Sequence, residues 1–184
     1  LATKLYNPVA PFGTPEAWPN ESRLSALNIK RACEASLSRL QTDYIDLFQM
    51  HHIDRATPWD EIWEAFSVLR QQGKVLYFGS SNFAGWHLAQ AQELAKSRHF
   101  LGLVSEQSLY NLVERTVELE VIPACEAYGI GLIPWSPLAR GFLAGNRSRD
   151  KGEGQGGTTT RAKTDDFAKE MYYQPEDFTV AERV

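Results

Sequence analysis

Cysteine is scarce in this chain, methionine equally so, and no run of apolar residues is long enough to cross a bilayer. Each shortage excludes a class of protein. The 2 cysteines in 184 residues, Cys33 and Cys125, both fall within helical patterns. That placement argues against a disulfide framework and for packed, reduced thiols in a cytoplasmic protein. No cysteine or histidine spacing of the metal-ligating kind is present, so no metal is expected. A net charge of -4 gives no general attraction for nucleic acid or anionic lipid, so neither is an expected partner. Any anionic ligand must be held by local groups. The opening Leu-Ala-Thr-Lys carries neither an initiator methionine nor a signal peptide, and reads as the middle of a strand. What is present is ordinary: 43% hydrophobic and 23% charged residues can build the core of one domain, or part of one, over residues 1–184.

The organising stretch is residues 44–52, an apolar run ending in two imidazoles, His51 and His52. A helical pattern precedes it and a proline-initiated one follows, so it reads as a buried strand of a parallel sheet, whose carboxyl end is where ligands collect. Strand alternation puts the two histidines on opposite faces, so only one points inward; parity does not decide which. Upstream, residues 1–4 form a short strand ending in Lys4, followed by a loop rich in Pro, Gly and Asn. Ser25 can cap a helix whose stripe is Ile29, Ala32, Cys33, Ser36, Leu37 and Leu40. Thr57-Pro58-Trp59-Asp60 supplies an N-cap, a proline at the first helical position and an acid in the first turn. Ile62, Ala65, Phe66 and Leu69 form the stripe of that helix, and Gly73 ends it.

Residues 74–79 form the next strand, closed by Ser80-Ser81-Asn82, and the helix after it has Trp86, Leu88, Ala91 and Leu94 as its stripe. A fourth strand spans residues 103–107. Residues 113–128 read as helix interrupted before Pro123, terminated by Gly129, and residues 130–135 form the fifth strand. Beyond Ala139 both periods fade, and residues 145–166 read as a flexible surface loop.

Strands alternating with helices at this spacing predict an α/β fold with a parallel sheet, either doubly wound or a (β/α)8 TIM barrel. The barrel is favoured. Lys4, His51, Ser81 with Asn82, Gln107, and Trp135 with Ser136 all fall at the carboxyl ends of successive strands, which a barrel gathers on one mouth. A barrel needs eight strands and about 250 residues, so the chain is expected to hold about five central βα units.

The sequence resembles the aldo-keto reductase family from residue 1 to about residue 145. The resemblance is carried by Leu-Ala-Thr-Lys at Lys4, Ser-Leu-Ser-Arg-Leu before Asp43-Tyr-Ile-Asp-Leu, His51, Gly73-Lys-Val and Gly79-Ser-Ser-Asn-Phe. Glu106-Gln, Tyr110-Asn and Trp135-Ser-Pro-Leu through Gly141 complete it. It implies an NADP(H)-dependent oxidoreductase that reduces a small-molecule aldehyde, ketone or sugar carbonyl. By the resemblance, Lys4 and His51 take the catalytic lysine and histidine roles, and the family's aspartate and tyrosine are expected upstream of Leu1. Ser81, Asn82 and Gln107 would meet the nicotinamide amide, Trp135 its ring, and Ser136 would also contact the cofactor. Leu138, Arg140 and Gly141 would meet the pyrophosphate. Preference for NADPH over NADH rests on the resemblance alone, and oligomeric state has no signal.

Taken singly these residues have bland alternatives: a solvated lysine, a structural histidine, a core tryptophan, a helix-capping Ser-Asn. Their joint placement reverses that balance. A second reading keeps the fold and cofactor but makes the protein a regulatory subunit, as in channel-associated relatives; those are expected to carry Arg-Trp where this chain has Asn82-Phe83. A third, a metal-dependent barrel hydrolase using both histidines, conflicts with their opposite-face placement.

Overall fold

Between residues 26 and 97 the apolar spacing switches between three-to-four and two, and the chain switches accordingly between helix and strand. A computed structural model describes residues 1–8, 21–145 and 164–184. They form two units: Leu1–Ser108 with Glu118–Ile133, and Leu109–Val117 with Pro134–Val184. The regular elements are β1 (Ala2–Leu5), α1 (Ala26–Leu40), β2 (Ile45–Met50), α2 (Trp59–Gln71), β3 (Val75–Ser81), α3 (Gly85–Ser97), β4 (Leu103–Leu109), α4 (Val121–Tyr128) and β5 (Gly131–Trp135). The sheet order is β1-β2-β3-β4-β5, with the first three pairings parallel. This sequential order never reverses. A doubly wound sheet would reverse it at a switch point, so the order sides with the barrel class; the five strands remain an open sheet.

Helix α2 lays its stripe on one face of the sheet. Phe48 of β2 and Phe78 of β3 alternate outward to meet Phe66 of α2, whose ring stacks 4.4 Å from that of Phe78. Trp63, absent from the predicted stripe, is fully buried beside Phe66 and donates its indole N–H to the Ala91 carbonyl at 3.1 Å. Burying each such ring contributes about 1.5–3 kcal/mol. On α3, Leu88 and Ala91 are buried as expected, but Trp86 is 55% exposed and lies against His87 instead. Cys33 and Cys125 are buried free thiols whose burial pushes both up to about 11, which leaves them inert.

Several boundaries differ from the sequence expectation. Ser25 does cap α1, accepting from the Asn28 amide at 3.2 Å. Thr57 does not cap α2: the N-cap is Pro58, without a side-chain bond, and the Thr57 hydroxyl donates to Asp54 at 2.7 Å. Pro123 does not interrupt a helix. It lies in the first turn of α4, where no internal amide bond is required. Ser80 and Ser81 extend β3 rather than closing it, and β4 runs on to Leu109.

The second unit contains a 3-10 segment (Ala139–Ala144) and two helices missed in the sequence, α5 (Asp166–Tyr172) and α6 (Pro175–Ala181). Their core is Ala139, Phe142, Leu143 and Tyr172, with the Phe142 and Phe178 rings 5.0 Å apart. Most of the loop expected over residues 145–166 lies outside the described residues. At its end Asp165 is ordered as the N-cap of α5, accepting from the Ala168 amide at 3.2 Å.

Two features of the first unit generate predictions. A Cβ on Gly79 would lie 2.4 Å from Ser105 Oγ, 3.0 Å from the Ser105 carbonyl and 3.2 Å from Gln49 Cγ, at the point where β3 and β4 shift register. Gly79→Ala should therefore destabilise the full-length protein by about 1–3 kcal/mol in urea titration. Gly131→Ala, whose Cβ would meet only the Val104 carbonyl at 3.6 Å, should change stability by less than about 1 kcal/mol.

Asp54 is 5% exposed and accepts from the Leu24 amide at 3.1 Å, the Ala56 amide at 2.9 Å and the Thr57 hydroxyl. Burial opposes its charge, but these donors outweigh burial and lower its pKa. A carboxyl with a lowered folded pKa stabilises above its unfolded value, near pH 4, and that contribution disappears as pH falls through the folded value. Asp54→Ala should lower stability at pH 7 by about 1–3 kcal/mol per orphaned amide and flatten the acid limb of the stability–pH curve.

Candidate functional site

Parallel strands end in a row of main-chain groups without ladder partners, and here side chains of the neighbouring strand satisfy them. The Gln107 carbonyl accepts both the Ser81 hydroxyl at 2.8 Å and the Asn82 amide at 3.1 Å. The Asn82 side-chain amide donates to Ser81 Oγ at 3.1 Å. Gln107 and Ser81 are register partners, so their side chains share one face. Asn82 has φ 58°, in the left-handed region, which an asparagine tolerates better than most residues. Its side chain is exposed and that of Gln107 half-buried. The Asn82 amide thus lies beside the Ser81 hydroxyl, on the strand that pairs with Gln107; each primary amide offers a donor and an acceptor, a donor set that fits a ligand carboxamide.

His51 follows Met50, the register partner of Ser80, and so comes level with Ser81. Lys4 pairs with Gln49, two residues before His51 along the chain. Burial lowers the His51 pKa, and the His52 and Lys4 charges lower it further. The imidazole is therefore neutral at neutral pH. The Asn7 side-chain amide lies 3.4 Å from His51 Nδ1; donation to that nitrogen leaves the proton on Nε2, which can then donate a hydrogen bond. The expectation that the two histidines occupy opposite faces is corrected. Strand β2 stops at Met50, alternation stops with it, and the two rings stack with centroids 4.7 Å apart. His52 also meets the edge of Tyr6 at 5.3 Å. Among the described residues no group of three or more potential ligands can hold a metal.

The residues of the second unit have their own geometry. Trp135, the half-buried last residue of β5, accepts the Tyr110 amide on its carbonyl at 3.5 Å. The Ser136 carbonyl accepts the Ala139 amide at 2.8 Å and the Asn111 side chain at 3.1 Å. Ser136, Ala139, Arg140 and Gly141 all have positive φ, and the Leu138 carbonyl takes the amides of Gly141 and Leu143. The chain therefore coils tightly here, with Leu138 58% exposed. Arg140 Nε donates to both oxygens of Asp165, at 3.1 and 2.9 Å, and its guanidinium lies 5.1 Å from the Phe167 ring centroid. The guanidinium proposed for a phosphate thus holds a carboxylate in this structure.

Two residues were underweighted by sequence reasoning. His87 forms half of a cap, accepting the Ala84 amide on Nδ1 at 3.3 Å. Glu106 is fully buried and accepts the Ser80 hydroxyl, the Ser108 hydroxyl at 2.7 Å and the Phe83 amide at 3.1 Å. Burial raises its pKa, against the pull of those donors. Its signal was present: an acid inside a strand, with a serine two positions on, on the same face.

The sequence matches the model of the aldo/keto reductase family over residues 1–181. It is 52% identical over 180 residues to the uncharacterised oxidoreductase YrpG of Bacillus subtilis, covering 97% of this chain and 53% of that protein. It is 42% identical over 125 residues to versiconal hemiacetal acetate reductase of Aspergillus parasiticus, covering 68% of this chain and 36% of the relative. A putative aryl-alcohol dehydrogenase of Schizosaccharomyces pombe is 38% identical over 154 residues, 84% of this chain and 42% of the relative. The chain spans about half the length, or less, of these relatives. A family model matched along nearly the whole sequence, over strands in sequential order, leads to one conclusion: the chain belongs to the aldo/keto reductase family.

Proposed function

We propose that the full-length protein is an oxidoreductase that reduces a small-molecule aldehyde or ketone to the alcohol, reversibly, using NADPH. The observation that supports this most is the amide cluster of Ser81, Asn82 and Gln107, at the same end of the sheet as His51 and Lys4. Membership of the family supports the reaction class. The relatives' names span an aryl alcohol and a hemiacetal acetate, so they support carbonyl–alcohol interconversion without narrowing the substrate.

When bound, the nicotinamide nucleotide supplies the hydride. In this reading Asn82 and Gln107 hold its carboxamide, which fixes the ring plane; in the second unit, taken by itself, the family resemblance assigns the ring to Trp135, the pyrophosphate to Leu138, Arg140 and Gly141, and a cofactor contact to Ser136. Arg140 exchanges Asp165 for phosphate there, one oxyanion for another. A carbonyl under reduction develops negative charge on oxygen, so a donor fixed at that oxygen lowers the barrier. Neutral His51 donates from Nε2. The Lys4 ammonium favours release of a proton from a phenol beside it, the role the family gives to a tyrosine expected outside this sequence.

Groups acting on charge that exists only in the transition state change turnover rather than binding. Lys4→Met and His51→Ala should each lower kcat by about a hundredfold or more with NADPH affinity nearly intact, and His52→Ala should do much less. Steady-state kinetics on the three variants decide the matter. An essential His52 with a dispensable His51 would overturn the assignment, and equal activity in all three variants would point to a regulatory subunit or to a different catalytic site. Independently, Asn82→Ala should weaken NADPH binding by about 1–3 kcal/mol, read by fluorescence titration.

A further inference from the structure

We propose that Glu106 is a positioning residue that holds Asn82 in its cofactor-binding conformation from the opposite face of the sheet. The inference rests on the reading of Asn82 as a carboxamide ligand. Adjacent strand residues face opposite ways, so if Gln107 faces the cofactor, Glu106 faces the helix layer. Its register partner is Ser80, which pairs in turn with Met50, a fully buried residue. Glu106 therefore touches neither cofactor nor substrate.

Its reach is through the main chain. Asn82 lies between Ser81 and Phe83 with φ 58°, and a non-glycine residue in that region persists only where its flanks are held. The flank before it is held by the Ser81 hydroxyl and the Asn82 amide, both on the Gln107 carbonyl. The flank after it is held by the Phe83 amide on Glu106 Oε1 at 3.1 Å. Ser108 steadies that same oxygen at 2.7 Å, and Ser80 binds the other. The Phe83 ring is buried against Trp59 at 6.3 Å, so the amide cannot turn to water without withdrawing the ring. A carboxylate suits this position because it accepts on both oxygens and donates nothing. Glutamine can substitute: its carbonyl keeps the Phe83 amide while its NH2 donates to the Ser80 hydroxyl, which accepts as readily as it donates. Alanine cannot, and aspartate withdraws the acceptor by one methylene.

The test separates positioning from general structural support by using two ligands on the full-length protein. One is NADPH; the other is 2′-phospho-ADP-ribose, the same nucleotide without nicotinamide. Glu106→Ala should weaken NADPH binding about tenfold and leave the truncated nucleotide within about twofold, as expected for loss of one fixed amide contact. Glu106→Gln should restore NADPH affinity. The double variant Glu106→Ala/Asn82→Ala should bind NADPH no more weakly than Asn82→Ala alone, since the two act through one contact. Should Glu106→Ala fail to fold, Glu106→Asp is expected to show the same selective loss. Equal weakening of both ligands, or additive losses in the double variant, would make Glu106 a structural clamp only and overturn the proposal. An effect of Asn82→Ala without one of Glu106→Ala or Glu106→Asp would overturn the proposal and leave the carboxamide reading standing. A silent Asn82→Ala would remove that reading and the proposal together.

Discussion

The ends of parallel strands impose a debt of unpaired main-chain groups, and the first unit is organised by how side chains meet it. Within the sheet the ladder satisfies each amide and carbonyl; beyond the last paired residue nothing does, unless a neighbouring strand reaches across. On β4 two consecutive residues do so in different ways. Gln107 offers its carbonyl to Ser81 and Asn82, and Glu106 offers its carboxylate to Phe83. Asp54 repeats the solution after β2, holding Leu24, Ala56 and Thr57 in the segment that follows the histidines. The same bonds that complete the backbone hold the turn that carries the exposed Asn82 amide. Support and candidate site are one network.

That network explains why the burial of Glu106 is tolerated. Glu106 is fully buried, and a carboxylate so placed is destabilising unless its oxygens are paired; two serine hydroxyls and one amide pair them. On the face carrying Lys4 the row continues through Gln49, Gly79 and Ser105. There the missing side chain of Gly79 is what admits its two polar neighbours. Apolar mass lies on the opposite face, where Phe48, Phe66 and Phe78 pack. One face therefore supplies cohesion and the other chemistry, a division that strand alternation makes possible.

The regular elements were legible because they report burial, and burial leaves a period in the residues. Ile29, Cys33 and Leu37, and Ile62, Phe66 and Leu69, recur on the buried sides of α1 and α2 as their spacing requires. Boundaries were less legible, since competing local bonds settle them. Thr57 has the chemistry of a cap, yet its hydroxyl is taken by Asp54, a partner invisible to local pattern. Strand parity separates His51 from His52, but parity holds only while the ladder lasts, and the ladder ends one residue earlier. The helices α5 and α6 were missed because each is two turns or fewer, too short to display an apolar period.

By itself the sequence determined the order and kind of the main elements, the placement of Lys4, His51, Ser81, Asn82 and Gln107 at strand ends, and the family. The elements and placements follow from residue type at fixed spacing and the family from a resemblance of motifs, neither of which needs coordinates. Tertiary structure alone decided that the strands lie in sequential order, that two histidines stack, that Arg140 holds Asp165, and that Glu106 underpins the Asn82 turn. Apart from the neighbouring histidines, which stack where the strand has ended, these are contacts between residues 23 or more positions apart or pairings of whole strands. Such pairings are set by the energy of packing and of satisfying buried polar groups, which no local window of residues contains.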